Sequence, residues 1–376
     1  MNILLAPDSF KSSLSAVNAI KALASGIRRV SPEITTSGIP LSDGGEGFVD
    51  ALTSSCSGII RRIKVTGPLG EPVSARYGII DNGKTGVIEM AAAAGLPLLS
   101  NRQHNPLNTT TYGVGELIYA AINKGCYAII IGAGGSATVD GGIGLLQALG
   151  VEFFDTNGKA VGRGGKELLK ICSMNTAALD RFSKISFVVA ADVTNPLCGR
   201  TGAARVYGPQ KGANPEAVNL LDTGLRHFAD IIRRSSNKDI LTISGGGAAG
   251  GMAAGIQAFL NADIVSGVDM VLGKSGLEEK LKGCDLVITG EGRTDIQTLN
   301  GKAPLGVARR ARNHGIPVVC ISGSLGRNID KLYNEGFSAF FSLCDGPIDE
   351  SAALTEAPRL LTQAVENVVR LYYHRK

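Results

Sequence analysis

The chain alternates between short apolar runs and stretches in which apolar residues recur every three or four positions. Short apolar runs bounded by glycine or proline are typical of buried strands, and the longer periodic stretches are typical of amphipathic helices. The predicted strands lie at residues 2–6, 127–131, 185–191, 286–289 and 317–324. The predicted helices lie at residues 14–27, 113–124, 143–149, 215–232, 301–313 and 351–373. Strands that alternate with helices predict an α/β fold.

Residues 65–90 depart from this pattern. Two β-rich runs, VSARYGII and KTGVIEM, flank Asp81-Asn82-Gly83, and Asn-Gly between such runs predicts a hairpin. The apolar runs near the two chain ends look alike, whereas the middle with its hairpin differs. We therefore predict a discontinuous α/β domain of residues 1–70 and 270–376, with an inserted α/β domain of residues 71–269.

The stretch DLVITGEGRTDIQTLNGK (285–302) has the densest candidate chemistry. Directly after its predicted strand come Glu291, Arg293, Asp295, Gln297 and Lys302. Open α/β sheets bind their ligands outside the carboxyl ends of the strands. Two acids, a guanidinium and an ammonium group in one such loop suit an anionic ligand with a metal ion. The alternative is an exposed polar loop with incidental charges.

Polar residues also follow other predicted strands. Asp8, Ser9 and Lys11 lie between the first strand and its helix, where phosphate or carboxylate contacts are common, and Ser12 or Ser13 is available to cap that helix. In PLSDGGEG (40–47), Asp43 is placed as a ligand for a metal ion or a hydroxyl group, or only as a helix cap.

Two further loops are rich in glycine. GAGGSATVDGG (132–142) formally fits a dinucleotide-binding motif, with Glu152 at the expected distance, but Asp140-Gly141-Gly142 interrupts it before the next helix. We therefore interpret this loop as a cradle for phosphate groups. The second, SGGGAAGGMAAG (244–255), allows close approach to a ligand, or else close helix packing.

Composition and charge argue against a nucleic-acid-binding protein. Glycine makes up 50 of 376 residues, tryptophan is absent and aromatic residues are 5 % of the chain, so stacking platforms for single-stranded nucleic acid are scarce. The net charge of +5 is spread along the chain, which fits small anionic substrates and argues against nucleic-acid binding.

The cysteine, histidine and hydropathy patterns concern compartment and metal chemistry. The seven cysteines form no C-x-x-C motif, which indicates free thiols in a reducing compartment. The four histidines show no zinc-binding spacing. Residues 3–6 are too short an apolar run for a signal peptide, and no run approaches the ~18 apolar residues of a membrane span. We therefore expect a soluble cytoplasmic protein.

Glycine-rich loops, acids at strand ends and dispersed basic residues fit phosphoryl transfer, because that reaction needs cradled phosphates, a held metal ion and an aligned hydroxyl group. Carboxylates such as Asp43, Asp192 and Asp295 can hold Mg²⁺ or accept the hydroxyl proton. The forked guanidinium of Arg293 suits a planar carboxylate or phosphate. Two other classes stay open: an NAD-dependent oxidoreductase that uses residues 132–137 and Glu152, and a non-catalytic protein that binds small acids.

Seven motifs occur in the order found in the bacterial type I glycerate kinases, which the chain resembles along essentially its whole length. They are APDSFKSSLSA (6–16), PLSDGGEG (40–47), GGSATVDGG (134–142), DVTNPLCG (192–199), GPQKGA (208–213), GAAGGM (247–252) and TGEGRTDIQTLNGKAPLGVA (289–308). Two positions depart from the family's usual pattern. Val139 stands where the family usually has Asn, so a polar role there is lost, and Ser12 stands where Gly or Glu is common.

The resemblance implies ATP- and Mg²⁺-dependent phosphorylation of D-glycerate, most often at the 2-hydroxyl, to give 2-phospho-D-glycerate; a 3-phosphoglycerate-forming enzyme is the alternative. It also implies two α/β domains with a cleft between them. We expect the discontinuous domain to be Rossmann-like or restriction-endonuclease-like and the inserted one to be flavodoxin-like. The expected partners are D-glycerate and ATP, with neither nucleic acid nor membrane, and a homodimer is an open possibility.

The motifs and the loop chemistry together give expected site residues. The expected catalytic residues are Asp192, Asp295, Arg293 and Lys11. The expected substrate contacts are Asp8, Ser9, Asp43, Asn195 and Lys302. The expected metal ligands are Asp43 and Glu291. The expected nucleotide contacts are Gly134, Gly135, Ser136, Thr138, Gly246, Gly247 and Gly250.

Overall fold

A computed structural model describes residues 1–373, except for the side chain of Asn300. Its strands are β1 (Asn2–Pro7), β2 (Thr35–Gly38), β3 (Ile59–Thr66), β4 (Pro72–Ile80), β5 (Thr85–Glu89), β6 (Ala128–Gly132), β7 (Glu152–Phe154), β8 (Ser173–Asn175), β9 (Ser186–Ala190), β10 (Asp263–Val265), β11 (Leu286–Gly290), β12 (Arg293–Thr294), β13 (Val318–Ser322), β14 (Ser324–Leu325) and β15 (Ala339–Ser342). Its α-helices are α1 (Ala16–Val30), α2 (Phe48–Ser55), α3 (Ala91–Ala94), α4 (Tyr112–Ile122), α5 (Ile143–Ala148), α6 (Ala203–Tyr207), α7 (Pro215–Ser236), α8 (Met252–Leu260), α9 (Gly267–Lys274), α10 (Leu277–Leu281), α11 (Ala303–Asn313) and α12 (Glu350–Tyr373). The predicted strands and helices are all present, with ends shifted by a few residues.

The chain divides into two compact units. The first contains Met1–Asp43, Asp50–Ser57 and the described residues from Val268 onward, and the second contains Gly44–Val49 and Gly58–Gly267. Strand β3 lies in the second unit, although the sequence-based division placed it in the first domain. The reason is that β3 pairs with β4 along its whole length, which its exposed, charged sequence did not reveal.

The first unit is built on a five-stranded parallel sheet in the order β15-β13-β11-β1-β2. Strand β1 is apolar at consecutive positions because both faces of the sheet are covered. Ile3 and Leu5 pack with α1 and α12 on one face, while Leu4 and Ala6 pack with α9, α10 and α11 on the other. The central strands are therefore buried along their length.

The strand order of this sheet is flavodoxin-like. Numbered along the chain within the unit, its strands run 2-1-3-4-5, the order of the flavodoxin type, in which ligands bind where the chain reverses its direction of travel, next to strand 1. The α/β class is thus confirmed, but the flavodoxin-like order belongs to the discontinuous unit and not to the inserted one. It arises because the chain returns from the second unit to place β11 directly beside β1.

The second unit contains a six-stranded mixed sheet in the order β10-β9-β6-β5-β4-β3. Strands β5, β6, β9 and β10 are parallel, and β4 is antiparallel to both of its neighbours. The predicted hairpin joins β4 to β5, with positive φ at Asp81, Asn82 and Gly83. Within residues 1–373, no helix has the length and apolar character needed to cross a bilayer.

Local capping explains where several helices begin. Asn214 accepts a hydrogen bond from the Ala217 amide at 2.8 Å and precedes Pro215 at the start of α7, as predicted. Helix α1 is capped by Ser15 and not by Ser12 or Ser13. The helix starts later because Phe10 and Leu14 first close a tight turn through their backbones, with Ser12 at φ +63°.

Candidate active site

Three carboxylates predicted to act in the site come together at the carboxyl ends of β1 and β11. Asp8 follows β1 and its amide donates to the Gly290 carbonyl at 2.8 Å, which joins the two strand ends. Leu41 likewise donates to the Pro7 carbonyl at 3.0 Å and so brings the loop with Asp43 to the same edge. This edge is the reversal point of the flavodoxin-like order, where such folds bind ligands.

Electrostatics at this edge are dominated by negative charge. Burial, together with the negative charges of Asp43 and Glu291, raises the pKa of Asp8 to about 7. The Ser9 amide, which donates to Asp8 Oδ1 at 2.6 Å, and the ammonium of Lys11 act in the opposite direction. An excess of carboxylates of this kind favours a cation.

Glu291 is held by three donors within its own loop. The residue is 5 % exposed, and its Oε1 accepts hydrogen bonds from the hydroxyl groups of Thr294 (3.0 Å) and Thr298 (2.9 Å). Its Oε2 accepts from Lys302 Nζ at 2.8 Å, and Lys302 also donates to the Arg293 carbonyl at 3.0 Å. Lys302, predicted as a substrate contact, is therefore used to brace the loop.

Arg293 and Asp295 form a pair at the rim. Arg293 Nε lies 3.1 Å from Asp295 Oδ2, and the Arg293 side chain is 68 % exposed. Asp295 also accepts from the Gln297 amide at 2.9 Å through Oδ1, as the cap of the short helical turn Ile296–Asn300. Because Arg293 contacts Asp295 through Nε, the two terminal nitrogens of its guanidinium can bind an incoming carboxylate or phosphate.

Lys11 is exposed and lines a cavity of about 330 Å³ at the same end of the sheet. The cavity is also bounded by Phe10, Gly292, Gly323 and Leu354. Because these residues follow β1, β11 and β13 or belong to α12, the cavity lies outside the carboxyl ends of the strands. A small anion in it would lie beside a lysine.

The predicted residues of the second unit gather at the carboxyl ends of β6 and β9. Asp192 follows β9, and its Oδ1 accepts from the Ser266 hydroxyl at 2.7 Å. Asn195 uses both ends of its side-chain amide within its own surroundings, donating to the Thr201 carbonyl at 2.7 Å and accepting from the Tyr207 hydroxyl at 2.6 Å. Asn195 therefore shapes its loop in this structure, and its second N–H donor and second oxygen lone pair are what a substrate contact would use.

The glycine-rich loops of the second unit pack directly on one another. The Gly134 amide donates to the Gly44 carbonyl at 3.0 Å, the Gly141 amide to the Gly250 carbonyl at 3.0 Å, and the Gly247 amide to the Asn195 carbonyl at 2.9 Å. Glycine is required at position 250, because φ is +68° and a Cβ atom would overlap the Thr138 carbonyl oxygen. Sequence reasoning selected these loops, and the structure brings them together.

Their predicted nucleotide contacts differ in accessibility. Gly135 is exposed and Gly134 half-buried, whereas Thr138, Gly246, Gly247 and Gly250 are buried. The backbone around Gly134 and Gly135 is thus the accessible part of the cradle, and the buried residues support it. Val139 is buried in the hydrophobic core. An apolar side chain fits there, which explains why this chain can have Val where the family usually has Asn.

Sequence reasoning gave no role to Lys211, a buried lysine of the GPQKGA motif. Its Nζ donates to Ser136 Oγ at 2.7 Å and to the Thr138 carbonyl at 2.8 Å, underneath the first glycine-rich loop. Burial lowers the pKa of Lys211 to about 7, although the negative charge of Asp140 acts to raise it. The sequence shows only that Lys211 lies between Gly208 and Gly212 of the GPQKGA motif. The burial of its side chain cannot be inferred from that position.

The geometry does not support a dinucleotide site at residues 132–137. In that type of site the acidic residue ends a neighbouring strand of the same parallel sheet. Glu152 instead begins β7, which pairs with β8 in a separate two-stranded sheet. Its exposed carboxylate accepts from the Asn175 side chain at 3.0 Å.

Comparison with known proteins agrees with these features. The model of the "Glycerate kinase family" matches residues 3–373. A glycerate kinase from Halalkalibacterium halodurans is 45 % identical over 97 % of this chain and 97 % of its own length. A protein from Escherichia coli K12 described as glycerate 2-kinase is 45 % identical over 93 % of each chain.

A solved structure is also similar. It is a crystal structure from Salmonella typhimurium LT2, described as a proposed glycerate kinase 2, with 43 % identity and a TM-score of 0.88 over 100 % of this chain and 98 % of that one. These comparisons confirm the family and the enzyme class that the sequence predicts: the chain belongs to the glycerate kinase family.

Proposed function

We propose that the chain transfers the γ-phosphoryl group of ATP, with Mg²⁺, to the 2-hydroxyl of D-glycerate and releases 2-phospho-D-glycerate. The observation that carries this proposal is the convergence of Asp8, Asp43 and Glu291 at the reversal point of the first unit's sheet. The name of the E. coli relative supports the choice of the 2-hydroxyl. Formation of 3-phosphoglycerate is the alternative.

The donor set at this edge fits Mg²⁺. Mg²⁺ prefers oxygen ligands, keeps several waters and is usually held by one or two carboxylates with substrate phosphates. Within residues 1–373 no group of three acidic, histidine or cysteine side chains is arranged to hold a metal ion by itself, so the proposal requires substrate phosphates and waters to complete the coordination. The two oxygens of Glu291 accept hydrogen bonds from Thr294, Thr298 and Lys302, so Glu291 would hold the ion from a fixed position beside Asp8 and Asp43.

When bound, Mg²⁺ would neutralise charge on the transferring phosphoryl group. The chain's own residues supply binding and orientation. The exposed guanidinium of Arg293 binds the glycerate carboxylate through its terminal nitrogens, and Lys11 adds positive charge at the cavity. Ser9 keeps Asp8 oriented through its amide.

Asp192 and Asp295 are the candidates for accepting the hydroxyl proton. Both oxygens of Asp295 already accept hydrogen bonds, from Arg293 and from the Gln297 amide. Asp192 accepts from the Ser266 hydroxyl through Oδ1. Because Asp295 pairs with Arg293, we propose that Asp295 orients Arg293 and that Asp192 is the base. The nucleotide lies on the cradle formed by the amides around Gly134 and Gly135.

A coupled ADP-release assay tests the proposal, with ATP, Mg²⁺ and D-glycerate, L-glycerate, D-lactate and 3-hydroxypropionate as acceptors. Phosphorus NMR of the product separates the isomers, because a 2-phosphate couples to one proton and a 3-phosphate to two. We expect turnover with D-glycerate, a doublet and loss of activity in EDTA. A triplet would establish the 3-phosphate product, and absence of ADP release with every acceptor would refute the proposal.

The compartment is proposed on separate grounds. All seven cysteines within residues 1–373 are free thiols, and a reducing compartment keeps thiols in that state. We therefore propose a cytoplasmic location, and the homodimer stays a prediction.

A further inference from the structure

Lys211 is buried beneath the loop that contains Ser136 and Thr138. The residue is 2 % exposed, although lysine is almost never fully buried unless its charge is paired. Its Nζ donates to Ser136 Oγ at 2.7 Å and to the Thr138 carbonyl at 2.8 Å. Burying an ammonium group costs solvation free energy. We therefore asked what Lys211 does beneath the proposed nucleotide-binding loop.

A second buried charge stabilises the ammonium. Asp140 is fully buried, and its carboxylate accepts from the Thr111 amide (2.8 Å), the Thr111 hydroxyl (2.9 Å) and the Gly142 amide (3.0 Å). Burial raises the pKa of Asp140, and these donors oppose the rise. Because every partner donates to the carboxylate, the ionised form is the one that the structure accommodates, and its charge favours a protonated Lys211.

While Lys211 is protonated, the Lys211–Ser136 bond has only one possible direction. An ammonium group has three N–H donors and no acceptor, so Ser136 Oγ must accept. The hydroxyl hydrogen of Ser136 is therefore directed away from Lys211, and no residue in the described part of the chain accepts it. Ser136 is 7 % exposed and directly follows the exposed Gly135, so its hydroxyl group lies just beneath the accessible part of the cradle.

We propose that Lys211 is a positioning residue, which fixes the Ser136 hydroxyl as a hydrogen-bond donor to a phosphate oxygen of the bound nucleotide. This inference rests on the proposed function, because it needs a nucleotide on the cradle. A serine without such a neighbour can donate or accept and must be oriented when the ligand binds. Here the hydroxyl is oriented in advance, which removes part of the ordering cost of binding.

The arrangement makes nucleotide binding depend on protons. A neutral Lys211 can accept the Ser136 hydrogen, which would take the donor away from the phosphate. Without ligand, burial lowers the pKa of Lys211 to about 7, and a phosphate anion beside Ser136 would raise it again. Above pH 7 the bound state then holds more protons than the free state, so affinity falls by up to about tenfold per pH unit. The charged group facing Lys211 is Asp140, and His104 packs its backbone against the adjoining Gly212.

The test is calorimetric titration with a non-hydrolysable ATP analogue and Mg²⁺ at pH 8, in two buffers with different ionisation enthalpies. We expect the wild type to take up close to one proton and Lys211→Met to take up none and bind at least tenfold more weakly. Ser136→Ala should also bind about tenfold more weakly. The double variant should bind no more weakly than Lys211→Met alone, because Lys211 acts through Ser136.

Lys238→Met is the matched control. Lys238 lies in the same unit, and its Nζ also donates to one backbone carbonyl and one side-chain oxygen, of Ala258 and Asn261. It is half-buried and belongs to neither glycine-rich loop, so we expect wild-type affinity and proton uptake. If Lys211→Met does not fold, wild-type proton uptake and Ser136→Ala decide the question.

The outcomes separate this inference from the proposed function. A wild-type protein that binds no nucleotide and releases no ADP refutes the proposed function. A wild type that turns over but takes up no proton, or a Ser136→Ala variant with unchanged affinity, overturns only the role of Lys211. Additive losses in the double variant would likewise show that Lys211 acts independently of Ser136.

Discussion

Replacing Lys302 by methionine distinguishes a brace from a substrate contact. In the structure Lys302 Nζ lies 2.8 Å from Glu291 Oε2 and also donates to the Arg293 carbonyl. Methionine keeps the length of the side chain and removes the charge and its donors. Glu291 Oε1 would keep its two threonine partners, while Oε2 would lose the ammonium group that pairs with it.

The expected loss lies between two limits. Removing one partner of a fully buried pair costs about 3–5 kcal/mol, and an exposed pair is worth about 0–1 kcal/mol. The Glu291 side chain is 7 % exposed and that of Lys302 is 33 % exposed. We therefore expect Lys302→Met to lower the free energy of unfolding by about 2 kcal/mol.

Urea denaturation followed by circular dichroism measures this change. The control is Lys282→Met, whose pair with Glu279 has the same 2.8 Å distance but side chains 64 % and 75 % exposed, so its loss should stay below about 0.5 kcal/mol. Adding Glu291→Gln to Lys302→Met should restore part of the loss, since the unpaired charge is gone. An unchanged stability together with a raised KM for glycerate would refute the brace and make Lys302 a substrate contact.

Further predictions concern the two sets of loops. Arg293→Lys keeps the charge but loses the fork, so kcat/KM for glycerate should fall at least tenfold; an unchanged value would remove Arg293 from the site. Asp192→Asn should abolish most turnover and Asp295→Asn should mainly raise the KM for glycerate; near-full activity in both, with folding intact by circular dichroism, would refute both roles. Gly250→Ala should lower stability by about 1–3 kcal/mol and raise the KM for ATP, whereas Gly273→Ala, in helix α9 with open space around it, should be neutral or stabilising in the same thermal and kinetic assays.

Much of the first unit's site follows from the sequence, because a buried strand that ends in acidic residues marks a ligand-binding edge whatever its partners are. Asp8 and Glu291 are candidates on this ground, and the structure brings their charges close together. What those side chains contact could not be deduced: that Lys302 turns back onto Glu291 depends on the turn Ile296–Asn300. The sequence therefore does not show whether Lys302 bonds to Glu291 within its loop or to a ligand.

In the second unit the limits are different. Glycine-rich motifs predict candidate nucleotide-binding loops, but which glycines face outward depends on how the loops pack, as the burial of Gly250 against Thr138 illustrates. Lys211 was missed because a lysine is expected at the surface, and only the tertiary structure shows the buried Asp140 that compensates it. The strand order of the first unit was likewise out of reach, since it is set by long-range pairing.

That long-range pairing has a consequence for how the chain acquires its structure. Strand β1 is completed only by β11, and the Thr289 hydroxyl bonds to the Ala6 carbonyl across 283 residues. At a synthesis rate of at most about 20 residues per second, the nascent β1 waits on the order of 15 s for its neighbour. The second unit, interrupted only by Asp50–Ser57 of the first unit, emerges in that interval and can fold first, while β1 still lacks its neighbour β11. Proteolysis of chains stalled near residue 280 should therefore cleave the amino-terminal segment and spare the second unit; protection of that segment would contradict this order of folding.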